Sequence, residues 1–350
     1  MIHQRSHVRG RALLRMLALL LVLASVAGGF IGWQGYRSYT NTALPISDSG
    51  TTFEVARGAN YARIVAQLRE QGLIAGDMRT SLYWRVLGRE SKIAARLHAG
   101  EYALTPGLTP RELLRKMAAG DVVQHHFTIV DGWTFQQLRL ALANATGLEQ
   151  TLPGLGDEAV ARRLDIADGK PEGWFLAETY SFVKGESDFD ILKRAHEAMD
   201  KALARLWPQR ADEVRLASPY EALILASIVE KETAQPAERP QIAGVFLRRL
   251  KFHMRLQTDP TVIYGMGASY DGNIRRRDLE ADTPWNTYTR DGLPPTPIAL
   301  PGIDALQAVM HPAPGDALYF VARGDGSHEF SPTLDAHNRA VQKYQLRRGQ

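Results

Sequence analysis

Ala222-Leu-Ile-Leu-Ala-Ser-Ile-Val-Glu-Lys-Glu-Thr233 is the stretch on which the reading of this chain turns. Its first eight residues carry no charge, and two glutamates flank a lysine at its end. A segment apolar all round has to be buried all round, so it predicts a helix at the centre of a core. Just upstream, Ser218-Pro-Tyr-Glu221 has the order of a capping box, with Ser at N-cap, Pro at N1 and Glu at N3. The helix is therefore expected from Pro219 to about Thr233. At 100° per residue Glu232 projects within about 40° of Leu225 and Ile228, and Glu230 lies about 160° away from it. The two carboxylates cannot act as one close pair. A carboxyl at the end of a buried helix loses solvation, which raises its pKa and suits it to donate a proton near neutral pH. An ordinary helix reaching water ends the same way, and the residues alone leave both readings open.

Two polar clusters follow. Met254 to Gly265 brings Gln257, Thr258, Asp259 and Tyr264 to a helix-to-loop transition. Thr283 to Thr289 (TPWNTYT) holds Asn286 and Tyr288 and leads into the proline-bearing Gly292 to Ile298. Amides, hydroxyls and aromatic rings are what a sugar groove uses, hydrogen-bonding hydroxyls and stacking on pyranose faces. A rigid proline-bearing loop has the same composition.

Further out, helices are expected at Phe189–Leu206, with Ile191, Leu192, Ala195, Met199 and Leu203 inward, and at about Arg239 to Phe252. A closing strand at Ala317–Ala322 and a helix at Leu334–Leu346 complete this part. It opens with a strand at Phe127–Val130 and a helix at Thr134–Asn144; residues 147–170 read as loop-rich. A smaller α+β module precedes it: strands at Phe53–Gly58 and Gly100–Leu104, helices at Tyr61–Gln71 and Arg79–Leu87, and a third opened by Thr109-Pro-Arg-Glu112 and ended by Gly120. Asn41 to Thr52 reads as a linker.

Met16 to Tyr36 carries no charge, four arginines (Arg5, Arg9, Arg11, Arg15) precede it, and Trp33 and Tyr36 sit where an interfacial aromatic belt would place them. About 20 apolar residues span a bilayer core, and the arginines put the N-terminus in the cytoplasm and the body outside. The competing reading is a signal peptide cleaved after Ser25-Val26-Ala27. No second run approaches this length, so the chain is not a transporter.

Composition sets the outer bounds. The 350 residues suggest two domains or three, and 23% charged residues argue against wholesale disorder. Zero Cys excludes disulfide scaffolds, thiolate metal sites and thiol nucleophiles. Apart from the four N-terminal arginines, basic and acidic side chains balance, which excludes a nucleic-acid surface. The histidines show no metal-ligand spacing, Ser227 lies in no nucleophile elbow, and Gly324-Asp-Gly326 reads as a turn.

The segments LILASIVEKETA (223–234), RLQTDPTVIYGMG (255–267), NTYTRDGLPPTPIALPG (286–302) and the stretch from His311 to Tyr344 resemble the endolytic murein transglycosylase (MltG/YceG-like) family, in order from about residue 50 to the C-terminus. The resemblance implies an α+β fold in five parts: a cytoplasmic tail (1–15), a transmembrane helix (16–36), a linker (37–50), a LysM-like module (51–122) and a catalytic domain (123–345). It implies Glu232 as the catalytic acid. Glu230, Gln257, Thr258, Asp259, Tyr264, Asn286 and Tyr288 would line or support the substrate groove. No metal or cofactor is implied. The implied substrate is the peptidoglycan strand, the implied partners are penicillin-binding proteins or other cell-wall synthases, and the implied location is the inner membrane with the catalytic domain periplasmic. One departure stands out: Ala177-Glu178 replaces the family's Pro-Asp before Thr179-Tyr180. Two other functions compete, a non-catalytic glycan adaptor and a hydrolase of the same bond with Asp259 as second carboxylate.

Overall fold

The computed structural model describes residues 5–90 and 96–346, with side chains from residue 13 onward and Asp168 excepted. The chain divides into two compact units, Met1–Gln124 and His125–Gln350.

The first unit starts with α1, Arg5–Asn41. Its stretch Leu13–Asn41 contains 18 consecutive residues of mean hydropathy 2.2 and is long and apolar enough to cross a membrane. The helix outruns the expected span. Residues 37–41, expected as linker, are helical because Tyr36 and Thr40 on the last turns are 3% and 0% exposed and belong to the core of this unit. The chain after the helix is also fastened: Leu44 is buried and its N–H donates to the Leu108 carbonyl at 2.8 Å.

Strand β1 (Thr51–Val55), helices α2 (Tyr61–Glu70) and α3 (Met78–Glu90), strand β2 (Gly100–Leu104) and helix α4 (Pro110–Ala119) follow. The strands pair antiparallel, Thr51 opposite Leu104 and Val55 opposite Gly100. Alternation puts Phe53, Val55, Tyr102 and Leu104 inward against Ile64, Leu68, Trp84, Leu87, Leu113 and Met117. Helix α4 has the expected capping box between Thr109 and Glu112 and closes on Gly120 in the left-handed region, φ 67°.

The second unit contains β3 (His125–Thr128), α5 (Phe135–Ala143), α6 (Asp157–Arg163), β4 (Thr179–Phe182), α7 (Asp188–Leu206), α8 (Pro219–Glu232), α9 (Arg239–Lys251), α10 (Asp259–Met266), α11 (Arg276–Glu280), α12 (Ile303–Met310), β5 (Tyr319–Ala322), β6 (His328–Ser331) and α13 (Leu334–Val341). Its described strands form two antiparallel pairs, β3 with β4 and β5 with β6. One core joins α5, α6, the β3–β4 pair and the first half of α7. The other surrounds α8, whose residues Ala222–Glu230 are all buried, with α7, α9 and α12 packed around it. The uncharged stretch thus becomes the central helix, as its pattern demands.

Three details differ from the sequence reading. The Ser218 cap is half a box: Ser218 Oγ accepts from the Glu221 N–H at 3.2 Å, but the Glu221 carboxylate takes the Ala217 N–H at 2.7 Å. Residues 147–170, expected to be loop-rich with only weak helix signals, include the regular helix α6, which carries acids in its first turn and arginines in its last. The last helix ends at Val341 and continues as a wider π turn over Gln342–Leu346.

Candidate active site

Glu232 is the last residue of α8. The helix stops there because Thr233 swings into extended backbone, φ −142° and ψ 135°. Glu232 stays partly accessible, yet crowding removes much of its solvation and pushes the carboxyl up to about 7. The nearby charge of Asp259 pushes the same way, while the Thr258 hydroxyl, His328 and Arg249 oppose it. A carboxylate at the negative end of a helix dipole is further disfavoured.

Thr258 Oγ1 donates a short hydrogen bond to Glu232 Oε1. Thr258 is 2% exposed and fixed by a cluster of hydroxyls. Its N–H donates to Thr287 Oγ1 at 3.1 Å, Thr287 and Thr261 share a hydroxyl contact of 2.9 Å, and Thr261 Oγ1 returns to the Thr258 carbonyl at 2.7 Å. Gln257, beside it, has φ 51°, a left-handed conformation that costs a non-glycine residue about 1–2 kcal/mol. Arg249 from α9 braces this bend, donating to the Leu256 carbonyl at 2.9 Å and the Arg255 carbonyl at 3.1 Å. The Gln257 N–H meets the Thr287 carbonyl at 3.2 Å. The strained bend turns the exposed Gln257 outward and the buried Thr258 towards the acid.

Asp259 opens α10 and is exposed; its Oδ1 accepts from Tyr288 OH at 2.6 Å. Burial, and then the Asp259 carboxylate, push the Tyr288 phenol upward, so Tyr288 stays a donor. Glu232, Thr258, Asp259 and Tyr288 therefore form one constellation.

The remaining residues expected to line or support the groove are engaged in supporting contacts. Glu230 is 8% exposed and accepts from Arg239 Nη2 at 2.7 Å and the Gly302 N–H at 3.0 Å. It ties α8 to the starts of α9 and α12 and does not line the acid's surroundings. Asn286 is 1% exposed; its amide donates to the Leu279 and Ala281 carbonyls at 3.0 and 2.6 Å and accepts from the Tyr288 N–H at 2.8 Å. It shapes the loop that presents Thr287 and Tyr288 and offers no free donor. Tyr264 lies about 140° around α10 from Asp259. Its hydroxyl donates to Glu172 at 3.2 Å and its ring meets Trp285 edge-on at 5.5 Å, so it belongs to a packing cluster.

Sequence reading missed Thr261, Thr287, Arg249 and the Glu238–His328 pair, in which His328 Nδ1 and Glu238 Oε2 are 2.7 Å apart. It also missed Glu172, which burial pushes up to about 7 and which accepts from the Phe135 N–H at 2.9 Å. Thr261 and Thr287 lie inside the two polar clusters singled out above, and His328 inside the stretch from His311 to Tyr344, but nothing in those segments marks them individually. Among the described residues no cluster of three or more His, Asp or Glu could hold a metal ion.

The sequence model of the YceG-like family matches residues 53–343. An endolytic murein transglycosylase of Bacillus subtilis is 30% identical over 316 residues, covering 85% of this chain and 86% of its own length. One from Streptococcus pneumoniae is 27% identical, covering 94% of this chain and 65% of the relative. The crystal structure of a YceG-like protein from Listeria monocytogenes superposes with a TM-score of 0.52 at 30% identity, covering 84% of this chain and 99% of that one. The chain belongs to the YceG-like family.

Proposed function

We propose that this chain is a membrane-anchored endolytic lytic transglycosylase that cleaves the MurNAc–GlcNAc bond of peptidoglycan and leaves 1,6-anhydro ends. The observation that carries the reading is Glu232, a carboxyl held at about 7 at the end of a buried helix and steadied by the Thr258 hydroxyl. Held protonated near neutral pH, Glu232 gives its proton to the glycosidic oxygen as the bond from C1 breaks. The resulting carboxylate takes the proton of the muramoyl 6-hydroxyl, whose oxygen closes onto C1. The acid is restored, no water is consumed, and the intramolecular hydroxyl supplies a high effective concentration. Thr258 steadies the carboxylate between the two steps. Gln257, Asp259 and Tyr288 meet the sugar.

A hydrolase of the same bond is the second reading, favoured by Asp259, an exposed carboxylate close enough to influence Glu232. Product masses from purified peptidoglycan decide between them, because anhydro ends are one water lighter. Hydrolytic ends would replace the first reading with the second. No cleavage by either route would leave the adaptor function.

The rest of the assignment follows the same reading. The β–α–α–β order of residues 51–104 with its antiparallel strand pair supports a LysM-like glycan module over 51–122, and 123–345 is the catalytic domain. Residues 16–36 cross the inner membrane, residues 1–15 stay cytoplasmic, and the catalytic domain works in the periplasm beside cell-wall synthases.

A further inference from the structure

Helix α3 carries an apolar stripe that its own unit leaves uncovered. Met78, Leu82 and Val86 are 88%, 52% and 38% exposed. They recur every fourth residue, so they share one face. Arg79 and Arg85, both exposed, border that stripe, and the exposed Arg89 lies in line with it at its C-terminal end. Thr80, Trp84, Leu87 and Gly88 on the opposite side are buried. Apolar side chains with arginines beside them suit contact with a lipid headgroup layer.

The packing of α3 against α1 sets its height. Trp84 Nε1 donates to Tyr39 OH at 2.9 Å, and Tyr39 and Tyr83 rings lie 5.4 Å apart. Tyr36 OH donates to Glu90, whose carboxylate also holds Arg111 at 3.2 Å. Trp84 thus meets the later α1 residue and Glu90 the earlier one, so α3 runs antiparallel to α1 with its C-terminal end nearest the apolar stretch. The uncharged run ends at Tyr36, and its length matches a hydrocarbon core of roughly 30 Å. Tyr36 then stands at the edge of the hydrocarbon, and Arg37 to Asn41 cross the headgroup layer. The α3 residues that touch Tyr36 and Tyr39 are in that layer too.

We infer that the C-terminal half of α3 is a second membrane contact, with Val86 and Leu82 seated among lipid headgroups and Arg85 and Arg89 against their phosphates. It rests on the anchor reading of α1 and adds to it. One helix crossing a bilayer leaves the body free to swivel. A second contact alongside fixes the height and tilt of the module.

The absence of Cys makes the test direct. Single cysteines are introduced at Ala27, Met78, Leu82, Val86 and the exposed Ser47 in the full-length chain. Each is labelled with an environment-sensitive fluorophore and reconstituted into phosphatidylethanolamine–phosphatidylglycerol vesicles carrying nitroxide lipids. The expected result is a depth order: Ala27 quenched by mid-bilayer nitroxide, Val86 strongly by headgroup nitroxide, Leu82 less, and Met78 and Ser47 least. Arg85→Glu with Arg89→Glu should relieve quenching at Val86 and leave Ala27 unchanged. Ala27 quenched while Val86 stays as water-exposed as Ser47 overturns the second contact and leaves the anchor standing, pointing the stripe to a protein partner. Ala27 unquenched overturns the anchor and the second contact with it.

Discussion

Helices α1 and α8 begin from the same sequence property and end in opposite surroundings. Both contain uncharged apolar runs, yet residues 13–34 of α1 are exposed and residues 222–230 of α8 are buried. Length separates them: a run of about 20 residues spans a bilayer, whereas eight or nine can only fill a protein core. The apolar run needs a partner in either case: protein supplies it for α8, and under the proposed anchoring lipid supplies it for α1. What each helix does is decided at its polar end. Helix α1 finishes in Tyr36, Tyr39 and Thr40, which lock it to its unit; α8 finishes in Glu230 and Glu232, one tied to an arginine and the other left beside hydroxyls.

The strongest way to break this contrast is at Glu232. Glu232→Gln keeps shape but cannot cycle a proton, so cleavage should fall by at least ~10²-fold. Its stability should change with pH in a defined direction. The folded-state carboxyl lies at about 7 against 4.5 when unfolded, so its neutral form stabilises the fold fully below about 4.5 and that contribution is lost as pH rises through about 7. Glu232→Gln should therefore gain on wild type in thermal unfolding between pH 5 and pH 8. Near-normal cleavage would move the acid role elsewhere.

Glu230→Gln should give the reverse profile. It leaves Arg239, 9% exposed, with only the more distant and exposed Asp304 at 3.5 Å, and breaking such a buried pair costs about 3 kcal/mol. Urea unfolding should show that loss while cleavage per folded molecule stays within a few-fold of wild type. Equal catalytic damage from both substitutions, with normal unfolding, would end the division of labour between the two faces of α8.

At the other helix, truncation separates the proposed anchor from the core. Removing residues 1–40 takes away Tyr36 and Thr40, both buried in the first unit, and should destabilise that unit by about 3 kcal/mol. Removing residues 1–32 should leave its unfolding transition unchanged while releasing the protein from membranes. Identical unfolding of the two truncations would show that the end of α1 adds nothing to the fold.

What could be read beforehand follows a physical boundary. The opposition of Glu230 and Glu232, the Thr109 cap and the buried α8 are local consequences of helix geometry, so spacing reveals them. The hydroxyl cluster is not local: Thr258 meets Thr287 across 29 positions, and no pattern in either segment announces the other. Asn286 meets the same boundary, because its supporting role depends on how the loop folds. An amide in a proline-bearing loop looks like a sugar donor until the fold turns it inward onto three carbonyls. Net charge was similarly blunt. Balanced totals hide the three arginines that α3 places around one apolar stripe.

The smallest expected effect is at Thr258, and it asks whether the hydroxyl floor tunes the acid or merely fills space. A donor to a carboxylate favours the charged form, and the Thr258 hydroxyl opposes the upward push on Glu232. Thr258→Val keeps the volume and removes the donor, so the carboxyl should rise further above about 7. The acid must be protonated to act, so activity falls as pH rises through that value. In the valine variant the falling limb of kcat/KM should move to higher pH by roughly one unit, the scale of a hydrogen bond to a charged group. The rate at the plateau should drop only several-fold, because the proton donor remains. Thr258→Ser restores the donor and should restore the limb. If valine lowers activity equally at every pH and serine does not differ from it, Thr258 supports the bend at Gln257 by packing alone. The contrast at the end of α8 would then rest on burial, without the hydroxyl.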